Sequence, residues 1–113
     1  NRLMRRALAG EAGLAHWTNR IHAEDAAHAI VHVLGLPSAQ KLYCVSDDCP
    51  ALESEVLAWM RAPEAETQTG ARDIAAHASG RRVRNDLLRA SGWVPRYPDY
   101  RSGYRQLLPS AGV

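Results

Sequence analysis

Three of the five histidines in this 113-residue chain, His22, His28 and His32, fall within Trp17 to Leu34, a stretch reading WTNRIHAEDAAHAIVHVL. A polar lead-in of Thr18, Asn19 and Arg20 precedes them, and the carboxylates Glu24 and Asp25 follow His22. Imidazoles four residues apart share a helix face, which makes His28 and His32 the first candidates for metal ligation. Their neighbours Ala29, Ile30, Val31 and Val33 offer none of the carboxylates on which zinc-binding imidazoles lean, so both read as ordinary helix residues. Cys44 and Cys49 match no common zinc-knuckle spacing and read as structural thiols, and no metal site is expected. Ser46, Ser79, Ser91 and Cys44 lack the glycine-elbow context of an activated nucleophile. There is no GxGxxG and no GxxxxGK, hence no loop able to cradle phosphates or hold a dinucleotide. No catalytic residue is assigned.

One local device remains. His22 stands at a helix entrance with Asp25 three residues on, the spacing of a capping box, and Asp25 can satisfy free backbone donors there. This supports a purely structural cap. The alternative is a cap that holds Thr18, Asn19 and Arg20 against a ligand.

The elements that must position these groups follow from periodicity and punctuation. Leu3, Met4, Ala7 and Leu8 predict a short helix ended by Gly10. Ala26, Ala27, Ile30, Val33 and Leu34 predict a second helix with a broad buried stripe, ended by Gly35 in a left-handed cap and by Pro37. Lys41 to Ser46 reads as a strand closed by a turn at Asp47, Asp48 and Pro50. Leu52, Val56, Trp59 and Met60 predict an amphipathic helix whose start suits Glu53 and Glu55. Residues 62–71 read as a mobile loop. Arg81 to Val83 reads as a short strand, and Asn85 as the N-cap of a helix over Asp86 to Ser91 stopped by Gly92. After the connector WVPRY, Asp99 caps a last helix with Tyr100, Gly103, Tyr104 and Leu107 on one side.

The length is that of one domain spanning residues 1–113, with room for a single core. A hydrophobic fraction of 46% is ordinary for a globular chain; with no Phe, the core must come mainly from Ala, Leu, Val and Trp. The net charge is +2, and the basic residues are spread from Arg2 to Arg105. The cluster Arg81-Arg82-Val83-Arg84 is too small a footprint for DNA or RNA, and no nucleic-acid partner is expected. No apolar run approaches the roughly 20 residues that span a bilayer, and the N-terminus lacks a secretory pattern. A cytoplasmic location with reduced thiols and no membrane contact is the expectation. The chain begins mid-pattern without an initiator Met, as though cut from something longer.

Three segments resemble a known family. NRIHAEDAAHAI, Asn19 to Ile30, resembles the segment after the substrate loop in extended short-chain dehydrogenase/reductases, the NAD-dependent epimerase/dehydratase family. KLYCVSDDCPALESEVLAWM resembles that family's strand YNVSDDEP and the amphipathic helix after it. The ending, RRVRNDLLRASGWVPRYPDYRSGYRQLL, looks like its closing pattern of basic strand, Asn-capped helix, Gly-Trp, Pro and terminal helix. Asn85, Gly92, Trp93, Pro95, Tyr97, Pro98, Tyr100 and Gly103 resemble most its atypical bacterial branch of NAD(P)-dependent oxidoreductases and nucleoside-diphosphate-sugar epimerases.

The resemblance implies an α/β parent in which this chain is a small α+β cap, the C-terminal substrate-binding domain, without the N-terminal Rossmann half. The family's GxxGxxG and Tyr-x-x-x-Lys motifs are absent: four residues after Tyr97, Tyr100 and Tyr104 stand Arg101, Tyr104 and Leu108. NAD or NADP is therefore expected in the full-length parent and not on this chain alone, which is not catalytic by itself. Carried over by position, Thr18, Asn19, Arg20, His22, Arg72 and Arg82 are the implied substrate-binding residues, with Arg81 a weaker candidate. Guanidinium is suited to phosphate, but family members that bind nucleotide sugars often carry Arg where Thr18 stands here, which leaves the ligand open. The expected partners are the missing Rossmann half, a small-molecule substrate such as a nucleotide sugar, and a second copy in a homodimer. An apolar face for the missing half is expected at Ala26, Ala27, Ile30 or Trp17. The alternative is a free-standing binding or interaction module, derived from that domain and without enzymatic activity.

Overall fold

The side chain of Asn1 accepts hydrogen bonds from the backbone N–H groups of Leu3 and Met4 at 2.9 and 3.4 Å, and this cap starts the first helix. The computed structural model describes residues 1–63 and 77–108. Within them the order is α1 (Arg2–Leu8), β1 (Trp17–Thr18), α2 (Ala23–Leu34), β2 (Ala51–Leu52), α3 (Glu53–Arg61), α4 (Asp86–Ala90) and α5 (Tyr100–Tyr104), the last continuing into a 3-10 turn at Arg105–Leu107. The described residues are thus helix-rich, with one two-stranded antiparallel sheet in which Trp17 faces Leu52 and Thr18 faces Ala51.

Two apolar clusters replace the single expected core. In the first, α1 packs on α3, and Ala7, Ala51, Val56, Leu57, Trp59, Met60 and Tyr100 are buried together. Trp59 meets Tyr100 edge to face, with ring centroids 5.5 Å apart. Arg6 bridges Glu11 and Glu53 at 3.0 and 2.8 Å over this cluster. Gly13 lets the backbone pass close to it: its φ is +74°, and a Cβ there would lie 2.6 Å from Leu57 Cδ1. The second cluster joins Ala29, Leu88 and Trp93, with Ile21, Val33 and Tyr43 at its margin.

Several expectations fail for physical reasons. Lys41 to Ser46 has the composition of a strand but no strand beside it among the described residues to complete a ladder, and Leu42 is 75% exposed. Arg81 to Val83 is not a strand either. The Asn19 side chain takes the Val83 N–H and donates to the Arg81 carbonyl, at 2.8 Å each, so those backbone groups are already used. A parallel bridge between His16 and Ser79 is what the neighbouring segment contributes instead. Gly35 ends α2 with φ −87°, in the right-handed region, not in a left-handed cap. The expected mobile loop falls on residues 62–71, of which 64–71 lie outside the described residues.

The buried face of α2 also differs. Asp25 and Ala29 are its buried residues, whereas Ala27, Ile30, Val31 and Leu34 form an exposed stripe, the last three 64%, 69% and 81% accessible. Ala26 and Trp17 are half-buried, with the Arg82 guanidinium 4.9 Å above the Trp17 ring. Asp25 is not a helix cap. That role falls to His22, whose Nδ1 accepts from the Glu24 N–H at 3.1 Å. The Asp25 carboxylate instead accepts the consecutive N–H groups of Arg96 and Tyr97, both at 2.8 Å, and it is fully buried. Likewise Asn85 stands at the start of α4 without a side-chain cap bond; its amide donates to the Ser46 carbonyl and to Asp48 Oδ1 at 2.9 and 2.8 Å.

Removing Asp25 leaves two buried donors without a partner, a cost of about 3 kcal/mol or more. Asp25→Ala is expected to lower the urea midpoint of the chain accordingly, and Asp25→Asn, which keeps one acceptor, by roughly half as much. Equal losses in the two variants would show that the pair of bonds does not carry the effect.

Candidate functional site

The connector pinned by Asp25 brings Tyr97 onto the ring of His22, with centroids 3.9 Å apart and planes 21° from parallel. Beyond it, Asp99 starts α5 with a reciprocal capping box: its carboxylate accepts the Ser102 N–H at 2.7 Å, and the Ser102 hydroxyl accepts the Asp99 N–H. This fixes Tyr100, Gly103, Tyr104 and Leu107 along one side, as their spacing predicts, opposite Arg20, Ile21 and His22. The space between is a cavity of about 250 Å³, also bordered by Asp47, Asp99 and Tyr97. Its lining is mostly carbon.

The expected substrate residues divide. Arg20 and His22 border the cavity. Thr18 lies behind it in β1, where its hydroxyl donates to the Ala51 carbonyl at 2.7 Å and accepts from Arg20 Nη2. Asn19 spends both ends of its amide on residues 81 and 83. Arg82 stacks on Trp17 and borders a second, polar depression with Asp48, Arg84, Asn85 and Asp86. Arg72 lies outside the described residues. Asp47 and Asp99 were legible in the sequence only as turn and cap residues, because nothing in their spacing signals a cavity wall. Among the described residues no group of His, Cys, Asp or Glu is arranged to hold a metal ion. His32 Nε2 is engaged with Ser91 Oγ at 2.9 Å, and both cysteines are exposed and unpaired.

Arg20 is drawn inward. Its guanidinium lies 5.7 and 5.9 Å from the ring centres of Tyr100 and Tyr104, and its Nη1 is buried without a hydrogen-bond partner among the described residues. Asp47 lies within its field, with Oδ1 accepting the Cys49 N–H at 3.1 Å. Burial nonetheless pushes the Asp47 carboxyl up to about 6, against the opposing pull of that N–H and of Arg20. Burial, with the nearby Glu55, likewise raises the Tyr100 phenol to about 12, so it stays protonated at neutral pH and is no general base.

The Asp47 shift has a definite sign in stability. The folded chain holds this proton longer than the unfolded chain does, so the contribution is favourable in acid and declines as pH rises from about 4 to about 6. Asp47→Asn keeps the acceptor for Cys49 and removes the charge. It is expected to be more stable than the parent at pH 7.5, by about 1–2 kcal/mol, since the carboxylate borders a solvent-open cavity that weakens the full effect of the shift. Urea unfolding at pH 4 and pH 7.5 measures this; a parent advantage at the higher pH would contradict it.

No helix among the described residues is long and apolar enough to cross a membrane. No family model matches the chain, and no curated protein matches it. Among solved structures, a protein of Methylobacillus flagellatus described as a "putative NAD-dependent epimerase/dehydratase" is similar, with a TM-score of 0.70 and 31% identity. The match covers 94% of this chain and 40% of that one, so the chain spans about two fifths of its neighbour's length. In sequence motifs and in backbone path alike, the chain is similar to a portion of that "putative NAD-dependent epimerase/dehydratase".

Proposed function

We propose that this chain is the substrate-binding portion of an NAD(P)-dependent oxidoreductase or nucleoside-diphosphate-sugar epimerase/dehydratase. The observation that carries the reading is the cavity between the lead-in at Arg20 to His22 and the terminal helix α5. Two segments far apart in sequence, both matching the family's motifs, converge there on one concave, carbon-rich surface. The cofactor belongs elsewhere in the parent protein. These residues offer no glycine-rich loop, and a cavity of about 250 Å³ is too small for a dinucleotide.

The exposed stripe Ala27, Ile30, Val31 and Leu34 supports the same reading. An apolar row repeating at helical spacing is costly to leave in water and marks a surface that another body covers. We take that body to be the cofactor-binding half, with Leu42 beside it in the sequence segment that has strand composition but no strand partner. The role of His22 and Arg20 in this reading is to shape the substrate wall.

Gly103 gives a direct test. It borders the cavity, and a Cβ there would stand 3.7 Å from His22 Cδ2, so Gly103→Leu is accommodated by the helix while filling the space. In the full-length protein this variant is expected to raise KM by about tenfold or more, the loss of roughly 1.4 kcal/mol of binding. The Kd for NADH or NADPH should stay within about twofold in the same variant. The 113-residue chain alone should show no saturable enhancement of NADH or NADPH fluorescence. Tight nicotinamide binding by this chain, or an unchanged KM in Gly103→Leu, would defeat the proposal.

A further inference from the structure

Many of the polar groups around the cavity are committed to the protein itself. Arg20 donates from Nη2 to Thr18, and its Nη1 is buried beyond the reach of solvent. The Tyr97 hydroxyl donates to Glu24 and accepts from Gln106 at 3.3 and 2.7 Å; the Tyr100 hydroxyl donates to Glu55 at 3.3 Å. Asp99 is occupied by the Ser102 N–H and Asp47 by the Cys49 N–H. What remains facing the space is mostly ring surface and aliphatic carbon, together with the second carboxylate oxygens of Asp47 and Asp99 and the Nε2 edge of His22.

The charge count points the same way. Among the described lining residues Arg20 is the one Lys or Arg, against two carboxylates, Asp47 and Asp99. The guanidiniums of Arg96 and Arg101, which lie 5.7 and 4.7 Å from the ring centres of Tyr97 and Tyr100, pair with Glu24 and Glu55 at 3.8 and 3.6 Å. A multiply charged anion entering here would meet two like charges and a single cation, Arg20, whose Nη2 is held by Thr18 and whose Nη1 is out of solvent's reach, so its desolvation is poorly compensated.

We infer that the moiety seated in this cavity is uncharged, presenting a flat apolar face to the aromatic wall, and that the cavity refuses a diphosphate. The inference rests on the substrate-site reading above and narrows it. A nucleotide-sugar substrate would place its sugar or another neutral ring here and its diphosphate elsewhere.

Three probes of one shape and different charge decide the matter: benzyl alcohol, benzoate and benzylammonium, with UDP as a fourth. Each is titrated into the full-length protein at pH 7.5, and binding is followed by NMR shifts of residues around Tyr104. Benzyl alcohol is expected to bind at least about tenfold more tightly than benzoate, the equivalent of one unfavourable charge contact, and UDP should leave these signals unmoved. Asp47→Asn should narrow the gap between benzyl alcohol and benzoate, since it removes a repelling charge without emptying the wall. Gly103→Leu should abolish the shifts caused by benzyl alcohol. UDP or benzoate binding more tightly than benzyl alcohol, with loss in Gly103→Leu, overturns the inference while sparing the substrate site. Preference for benzylammonium overturns it in favour of a cationic ligand. Failure of all four probes to bind overturns the substrate-site reading and this inference with it.

Discussion

The pair of hydrogen bonds from the Arg96 and Tyr97 backbone to the buried carboxylate of Asp25 is the constraint on which the site depends. A buried carboxylate is tolerable only when its lone pairs are used, and here two consecutive N–H groups use them. Those groups belong to a proline-stiffened connector about seventy positions away that has no regular structure of its own. With the connector pinned to the first turn of α2, Trp93 lies against Ala29 and Leu88, and Tyr97 lies on His22. Pro98 then presents its carbonyl to the Asp48 N–H at 3.0 Å, which ties in the turn carrying Asp47. The cavity wall is a consequence of these contacts and not of any single element.

That arrangement leaves α2 serving two environments. Its face at Asp25 and Ala29 is used internally, while Ala27, Ile30, Val31 and Leu34 point away from both apolar clusters. One side of the helix is thus fixed by Asp25 and Ala29, while the other presents an apolar row to solvent. The interior is divided into two small clusters. Each gathers around a different part of the chain, one on α3 and one on the α2–α4 pair.

Where the information was local, the sequence was legible. The five helices stand near their expected positions because caps, spacing and terminators act within a few residues: Asp99 with Ser102, Asn1 with Leu3, and the Val56, Trp59, Met60 stripe. Where it was non-local, the reading failed in a consistent way. Asp25 and Asn85 have the residue type and position of caps, yet their side chains satisfy distant backbone, a choice made by tertiary packing. Lys41 to Ser46 has strand propensity, but a strand is a property of a pair, and no segment among the described residues pairs with it. Within the lead-in, spacing does not tell which side chains turn inward: Thr18 and Asn19 hold backbone while Arg20 and His22 border the cavity.

The behaviour of Arg20 separates a binding residue from a residue that builds a binding surface. A guanidinium next to a cavity invites assignment as an anion anchor, because its planar donors suit phosphate and carboxylate. Here Nη2 is turned to Thr18, Nη1 is buried without a partner among the described residues, and the guanidinium lies in the field of Asp47 and near the ring faces of Tyr100 and Tyr104. Swinging the guanidinium out to a phosphate would break the Thr18 bond, strip two aromatic contacts and leave the buried Asp47 carboxyl further from its compensating charge. Each of those losses is of the order of 1 kcal/mol or more, so together they cancel what a solvent-screened phosphate contact returns. Arg20 is therefore better suited to holding the tyrosines in register than to gripping a ligand, and the ring faces it supports form the surface that a ligand meets.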